Sequence, residues 1–193
     1  MRISLLTIAM PIALAFSTAT QADWALQQPS SVHFLTSKNI HNTEVHQFKI
    51  FDAKIKDTGY AKFTIDLTSV DTRISIRDSR MIEHLFEVSK FGNASFEADI
   101  DQDVLQQVNE GKSLRYKLEG KLSLHGEKAN ASCEVLVTKN ADQTISVNSI
   151  TPMLIDAEDF DLIAGINKLR EMAKLKSITH TVPVTFNLTF KAN

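Results

Sequence analysis

The residues of this chain that could do chemistry are few and scattered. Six histidines, His33, His41, His46, His84, His125 and His180, fall in alternating, turn-like and helical stretches. His41 and His46 stand five apart, which suits neither the i, i+4 pair of a metal-binding helix nor the i, i+2 pair of a strand. No native metal site and no cofactor are expected. The single cysteine, Cys133, excludes an internal disulfide and a Cys-based zinc site, and its alternating apolar neighbours mark it as a small core residue. None of G-x-S-x-G, H-E-x-x-H, G-x-G-x-x-G, a P-loop or C-x-x-C occurs, so no catalytic set is assigned. The enzyme alternative is a small lipid hydrolase or isomerase using His125 or His84 with a nearby acid. Asp71, Arg73, Arg77, Asp78 and Arg80 form a charged cluster with two readings. One is helix capping with surface ion pairs; the other is a polar rim that orients a ligand's head group.

Charge and length narrow the classes further. Lys plus Arg number 21 against 23 acids, for a formal charge of −2, so no basic excess is available to neutralise phosphates, and nucleic-acid binding is excluded as the main role. With 193 residues, 43% apolar and 23% charged, the chain suits one folded domain with a sizeable core. At the N-terminus, Arg2 precedes an apolar run from Ile3 to Phe16, and small residues follow. This is the pattern of a secretory signal peptide over residues 1–22, cleaved after Ala22, with Ala19 the alternative. A membrane anchor would need about 20 apolar residues. No cysteine follows the run, so a lipoprotein anchor is excluded. The domain is therefore expected at 23–193, in the periplasm of a bacterium, where a stray thiol is a hazard and cysteine is sparse.

The elements that must position any site are mostly strands. Apolar residues alternate with polar ones in Tyr60–Val70, Leu114–Leu124, Ala129–Val137 and Thr181–Phe190, the mark of strands with one buried face. Shorter candidates are Ser31–Thr36, Glu44–Lys56, Ala94–Ile100 and Thr144–Asp156, which brings the count to eight. Turn signals such as Asp57-Thr58-Gly59 and His125-Gly126 keep the connections short, so neighbours are antiparallel and the sheet is a meander or barrel. Two segments follow a helical period: Ser75–Phe86 and the longer Asp159–Leu175, whose stripe runs Phe160, Ile163, Ile166, Leu169, Met172 and Ala173. The longer one is expected to pack on the sheet or close one barrel mouth. The fold is thus all-β, an eight-stranded antiparallel barrel with a short helix and a longer amphipathic C-terminal helix. Such a barrel is either filled by side chains or open to one slender ligand. Ala61, Ala98, Gly120, Ala129, Ala131 and Cys133 among the inward sets leave both possible.

Ser69-Val70-Asp71-Thr72, Arg77-Asp78, Leu85-Phe86 and Phe96, taken in order, resemble the motif of the YceI-like, polyisoprenoid-binding family. Gly120 to Gly126 (Gly-Lys-Leu-Ser-Leu-His-Gly) is similar to that family's second signature, and Trp24, the Phe160–Arg170 stretch and Val182–Phe186 agree with it. The resemblance implies a lipocalin-like barrel and a periplasmic carrier, not an enzyme, whose tunnel holds a polyisoprenoid, isoprenoid quinone or fatty amide. On this reading the tunnel lining is Phe34, Phe48, Phe63, Ile65, Leu67, Phe96, Tyr116, Leu118, Val135, Val184, Phe186 and Leu188, and Arg77 and Asp78 form the polar rim. Partners are then a long-chain isoprenoid or acyl lipid, with a homodimer as a further expectation, since an apolar chain protruding from a tunnel favours dimers. Where many members have Gly before the Phe48-like position this chain has His46-Gln47, and where they have Tyr-Pro near residue 92 it has Phe91-Gly92-Asn93. The tunnel mouth is expected to differ accordingly. The competing expectation is an envelope structural or partner-binding module with a filled barrel.

Overall fold

The computed structural model of the protein describes residues 23–107 and 113–192; the expected signal peptide, residues 1–22, lies outside them. The described strands are β1 (Trp24–Lys38), β2 (Asn42–Phe48), β3 (Phe51–Ile55), β4 (Tyr60–Asp66), β5 (Val70–Asp71), β6 (Asn93–Asp99), β7 (Ser113–Leu124), β8 (Glu127–Lys139), β9 (Ile145–Ser149), β10 (Met153–Asp156) and β11 (Thr181–Ala192). They form one sheet in the order β10-β11-β9-β8-β7-β6-β4-β3-β1-β2-β5, and a further β11–β1 pairing closes it. The closed ring is therefore the eight strands β1, β3, β4, β6, β7, β8, β9 and β11.

The two segments expected as single strands, Glu44–Lys56 and Thr144–Asp156, are each broken in two. In the first, the Ser69 hydroxyl accepts the Ile50 N–H at 3.0 Å and the Ser69 carbonyl accepts the Lys49 N–H at 3.1 Å, so a turn takes the donors that a ladder would use. In the second, Pro152 has no N–H, and Ile150 and Thr151 both donate to the Glu134 carbonyl, at 2.7 and 3.3 Å. Each pair of pieces still follows one neighbour. β1 pairs with β3 through Trp24–Ala25 and with β2 through Val32–Lys38; β11 pairs with β10 through Thr181–Val184 and with β9 through Asn187–Phe190.

Every pairing is antiparallel, and the register carries the alternation through the ring. Phe63 faces Phe96 and Ala61 faces Ala98 across β4–β6, while Lys62 and Glu97, between them, form an ion pair at 2.9 Å on the outer face. On β7–β8, Tyr116 opposes Val135, which is 1% exposed, and Leu118 opposes Cys133. Gly120 on β7 has no room for a side chain: a Cβ there would collide with the Phe96 ring and the Glu97 carbonyl.

Both expected helices exist but are shorter. The first is α1 (Ser75–Arg80), continued by a π-helical turn over Met81–Leu85. A short α2 (Gln102–Gln107) lies between β6 and β7. The C-terminal helix is α3 (Ile163–Met172), preceded by a 3-10 turn at Glu158–Phe160. Asp161 takes φ of 52°, a left-handed conformation that Asp tolerates, and it separates the turn from the helix. Asp156, Glu158, Asp159 and Asp161 therefore lie before the helix, and no acid occupies its first turn. α1, α3 and the β1–β2 and β7–β8 turns share one end of the barrel, and α2 sits at the other. Gly165 of α3 sits against the π-helical turn, where a Cβ would lie 2.6 Å from the His84 carbonyl oxygen and 2.9 Å from Leu85 Cα.

Candidate ligand cavity

The barrel interior is open. It encloses about 580 Å³, within the roughly 300–1,000 Å³ typical of small-molecule sites. Strand alternation aims the walls inward: Phe34 from β1, Phe48 from β2, Phe63 and Ile65 from β4, and Leu67 from the turn after β4. Phe96 of β6, Tyr116 and Leu118 of β7, Val135 of β8, and Val184, Phe186 and Leu188 of β11 complete the circuit. All twelve apolar positions named from the sequence border the space. Phe34 stacks on Phe48 at 5.1 Å, and Phe48 meets Phe86 at 6.1 Å, so aromatic rings form one wall.

Of the two rim residues, Arg77 borders the cavity and Asp78 does not. Asp78 instead accepts the Thr72 N–H at 2.9 Å and the Thr72 hydroxyl at 2.5 Å, which fixes the bend from β5 into α1. Arg77 donates from Nε to the Thr72 hydroxyl at 2.9 Å and from Nη2 to the Thr72 carbonyl at 3.0 Å, and pairs with Glu44. Glu44 also receives Lys38 at 2.9 Å, and these two cations hold its carboxyl below the usual range. Asp71 is held well below the usual carboxylate range by Lys49 at 2.9 Å, by Gln47 at 3.0 Å and by the Arg73 N–H at 2.9 Å. The charged cluster is thus largely a device that ties α1 to the sheet.

Sequence reasoning missed the residues that make the two ends. At the α1 end the cavity is bordered by Ile74, Ile76, Arg80 and Met81 and by Leu169, Ala173 and Leu175 at the far end of α3; at the α2 end it reaches Ile100 and Val104. The helical stripe of Ile166 and Leu169 was visible as apolar, but only the fold reveals that it faces an open space. His46, a departure from the family pattern, is also on the lining. It is 4% exposed; its Nε2 shares a hydrogen bond with the Thr36 hydroxyl at 3.0 Å, and its Nδ1 is buried without a partner. Burial first, then the Arg77 cation, pushes its pKa below the ordinary value.

The two histidines that an enzyme would need, His84 and His125, are not on the lining. His125 Nδ1 lies 3.2 Å from the Phe160 carbonyl and Nε2 lies 3.1 Å from a Glu87 carboxylate oxygen, so the ring ties the β7–β8 turn to two loops. Burial pushes the Cys133 thiol up to about 11, which leaves it a packing residue. Among the described residues no group of His, Cys, Asp or Glu is placed to hold a metal ion, and no helix is long and apolar enough to cross a membrane. Among the described residues no carboxylate borders the cavity; Thr36, Lys38, His46, Arg77, Arg80 and Thr179 lie towards the α1 end, while Lys54, Lys62 and Tyr116 border it elsewhere, with Lys62 paired to Glu97. This arrangement suits a long apolar molecule with a polar end.

Solved structures share this fold. A polyisoprenoid-binding domain from Saccharophagus degradans implicated in plant cell wall breakdown superposes with a TM-score of 0.84 at 33% identity, covering 88% of this chain and 98% of that one. Burkholderia cenocepacia BcnA has the same fold, with a TM-score of 0.63 at 19% identity over 83% of this chain and 95% of its own. A Campylobacter jejuni YceI protein reaches a TM-score of 0.51 at 17% identity, covering 75% and 82%. No curated protein matches the chain. The family model for the YceI-like domain matches residues 24–190, nearly all of the described barrel, and the chain therefore belongs to the YceI-like family.

Proposed function

We propose that the protein is a lipid-binding protein that holds one long apolar chain (a polyisoprenoid, isoprenoid quinone or fatty amide) in its barrel. The chain lies along the barrel axis and its polar end rests at the α1 end. The observation that carries this reading is the open apolar cavity itself: a filled barrel would leave no such volume. Each CH₂ taken from water contributes about 0.8 kcal/mol, so a long chain is held firmly with few polar contacts. The Saccharophagus domain, named for polyisoprenoid binding, supports the same class of ligand. With residues 1–22 removed, the protein works in the periplasm as carrier, store or scavenger, and binds its ligand without turning it over.

The test is native mass spectrometry of protein purified from the periplasm, followed by organic extraction. A discrete added mass, released by solvent and identified as a prenyl or acyl lipid, is the expected result. A clean protein mass that added isoprenoid quinone and prenyl alcohol both fail to shift would overturn the reading and restore the envelope module as the better one.

A further inference from the structure

The rim of the α1 end combines exposed aliphatic side chains with unpaired cations. Ile74 and Ile76 border the cavity and yet are 47% and 58% exposed, which locates the mouth. At the same end of the barrel the β1–β2 turn presents Ile40, 76% exposed. The turn is held to the segment after α3: Asn39 donates its N–H to the Ser177 carbonyl at 3.0 Å, and the Asn39 side chain accepts the Lys176 N–H at 2.8 Å. Ile40 is therefore held beside Lys176, at the end of the barrel that carries α1. Ile40 also has φ of 71°, an unfavourable conformation for a β-branched residue, where Asn or Gly is at ease. An exposed isoleucine in this conformation costs the fold stability instead of adding to its core.

Charge on this rim runs against that of the chain. The segments 38–44, 73–80 and 170–176 carry seven cations (Lys38, Arg73, Arg77, Arg80, Arg170, Lys174, Lys176) against three carboxylates (Glu44, Asp78, Glu171), whereas the whole chain has 21 against 23. Glu44 and Asp78 are already engaged, by Lys38 and Arg77 and by Thr72. Arg80, Arg170, Lys174 and Lys176 have no carboxylate partner among the described residues.

We infer that this rim docks on an anionic lipid membrane, with Ile40, Ile74 and Ile76 dipping into the interface and the cations meeting lipid phosphates. Aliphatic tips ringed by Lys and Arg are the chemistry of an interfacial membrane contact. The placement at the mouth adds the reason: a long apolar ligand then passes between bilayer and barrel without exposing its CH₂ groups to water. The inference rests on the cargo reading for its purpose, but it is read out independently of it.

The experiment is flotation with vesicles of phosphatidylcholine alone or mixed equally with phosphatidylglycerol, at low and high salt. Wild type, Ile40→Asn and the double variant Lys174→Glu, Lys176→Glu are compared in the same N-terminal form, so that residues 1–22 contribute equally. None of these three residues borders the cavity, so bound lipid, measured in parallel by native mass spectrometry, reports on cargo separately. Wild type is expected to float with anionic vesicles and to be released by salt; each variant should bind roughly tenfold less. Ile40→Asn should at the same time raise Tm, which a merely structural role of Ile40 would not allow. Equal binding to both vesicle types, binding to neither, or variants that bind like wild type would overturn the inference. So would a wild-type dimer in light scattering that Ile40→Asn dissociates, since the rim would then belong to a second copy of the chain.

Discussion

At the scale of single residues, the cavity walls give the most direct handle. Phe63 points inward opposite Phe96, packs on Phe51 at 5.7 Å, and borders the space. Phe63→Arg would place a guanidinium where no carboxylate among the described residues borders the cavity, so a folded variant should lose bound lipid entirely in native mass spectrometry. A folded Phe63→Arg protein that retains its lipid would remove this face from the binding site. His46 supplies a second prediction, through protons. Its pKa in the folded protein is depressed, so below the ordinary histidine value near 6.5 the unfolded chain takes up a proton that the folded one resists. Stability is then lost as pH falls from about 7 towards the depressed native value, at up to about 1.4 kcal/mol per pH unit. His46→Phe, which keeps an aromatic ring beside Phe34 and removes the orphaned nitrogen, should flatten that slope in urea melts between pH 7.5 and 5 (roughly, the window set by the ordinary pKa). A wild type that gains on the variant as pH falls would contradict the assignment. The buried, half-partnered histidine was not legible in the sequence. Nothing in the spacing of His41 and His46 reveals that one of them turns into the barrel under Arg77.

At the scale of elements, the strands were legible because each has one apolar and one polar face, and the two breaks were not. A strand pattern continues across Lys49–Ile50 because alternation records which way side chains point, whereas the break arises from donors captured by Ser69, far along the chain. The helices were visible as apolar stripes, but their ends were set by backbone chemistry that a stripe does not encode: the left-handed Asp161 and the π-helical turn at Met81–Leu85. Gly165 marks where these two pieces meet. Adding a methyl group there would favour α3 by about 1 kcal/mol in helix propensity. The Cβ, however, would press on backbone atoms of His84 and Leu85 that cannot rotate away. Overpacking of this kind costs about 1–3 kcal/mol. Gly165→Ala should therefore lower Tm by several degrees on balance, roughly 2–4 °C for each kcal/mol lost. Because α3 and the π-helical turn both border the cavity at the α1 end, the same variant should also release bound lipid faster. An unchanged off-rate with a lowered Tm would confine Gly165 to stability.

At the scale of the whole molecule, the question that composition left open was whether the barrel is filled. Of the small residues named on the inward faces, Ala61 alone borders the void. Ala98, Ala131 and Cys133 are buried yet lie outside the lining, and Gly120 makes way for the Phe96 ring, so they serve large neighbours. The space opens mainly among large residues such as Phe63, Val135 and Val184, on the walls of an eight-stranded ring. That space is a property of the closed ring and of no single strand. A barrel with an apolar space of about 580 Å³ forgoes the packing contacts that a filled core would supply. Its ligand then replaces part of the missing core, and occupancy and stability are linked. A ligand present at 100 times its Kd stabilises the folded state by about 2.7 kcal/mol. For a domain of this size that corresponds to roughly 5–10 °C in Tm. Protein stripped of lipid by organic extraction and refolded should melt that much lower than the protein as purified, and adding geranylgeraniol or ubiquinone should restore the difference. Glycerol, which has the polar end without the chain, should not. If the stripped and purified forms melt together, and neither lipid moves the transition, the space inside the barrel is not completed by an apolar chain.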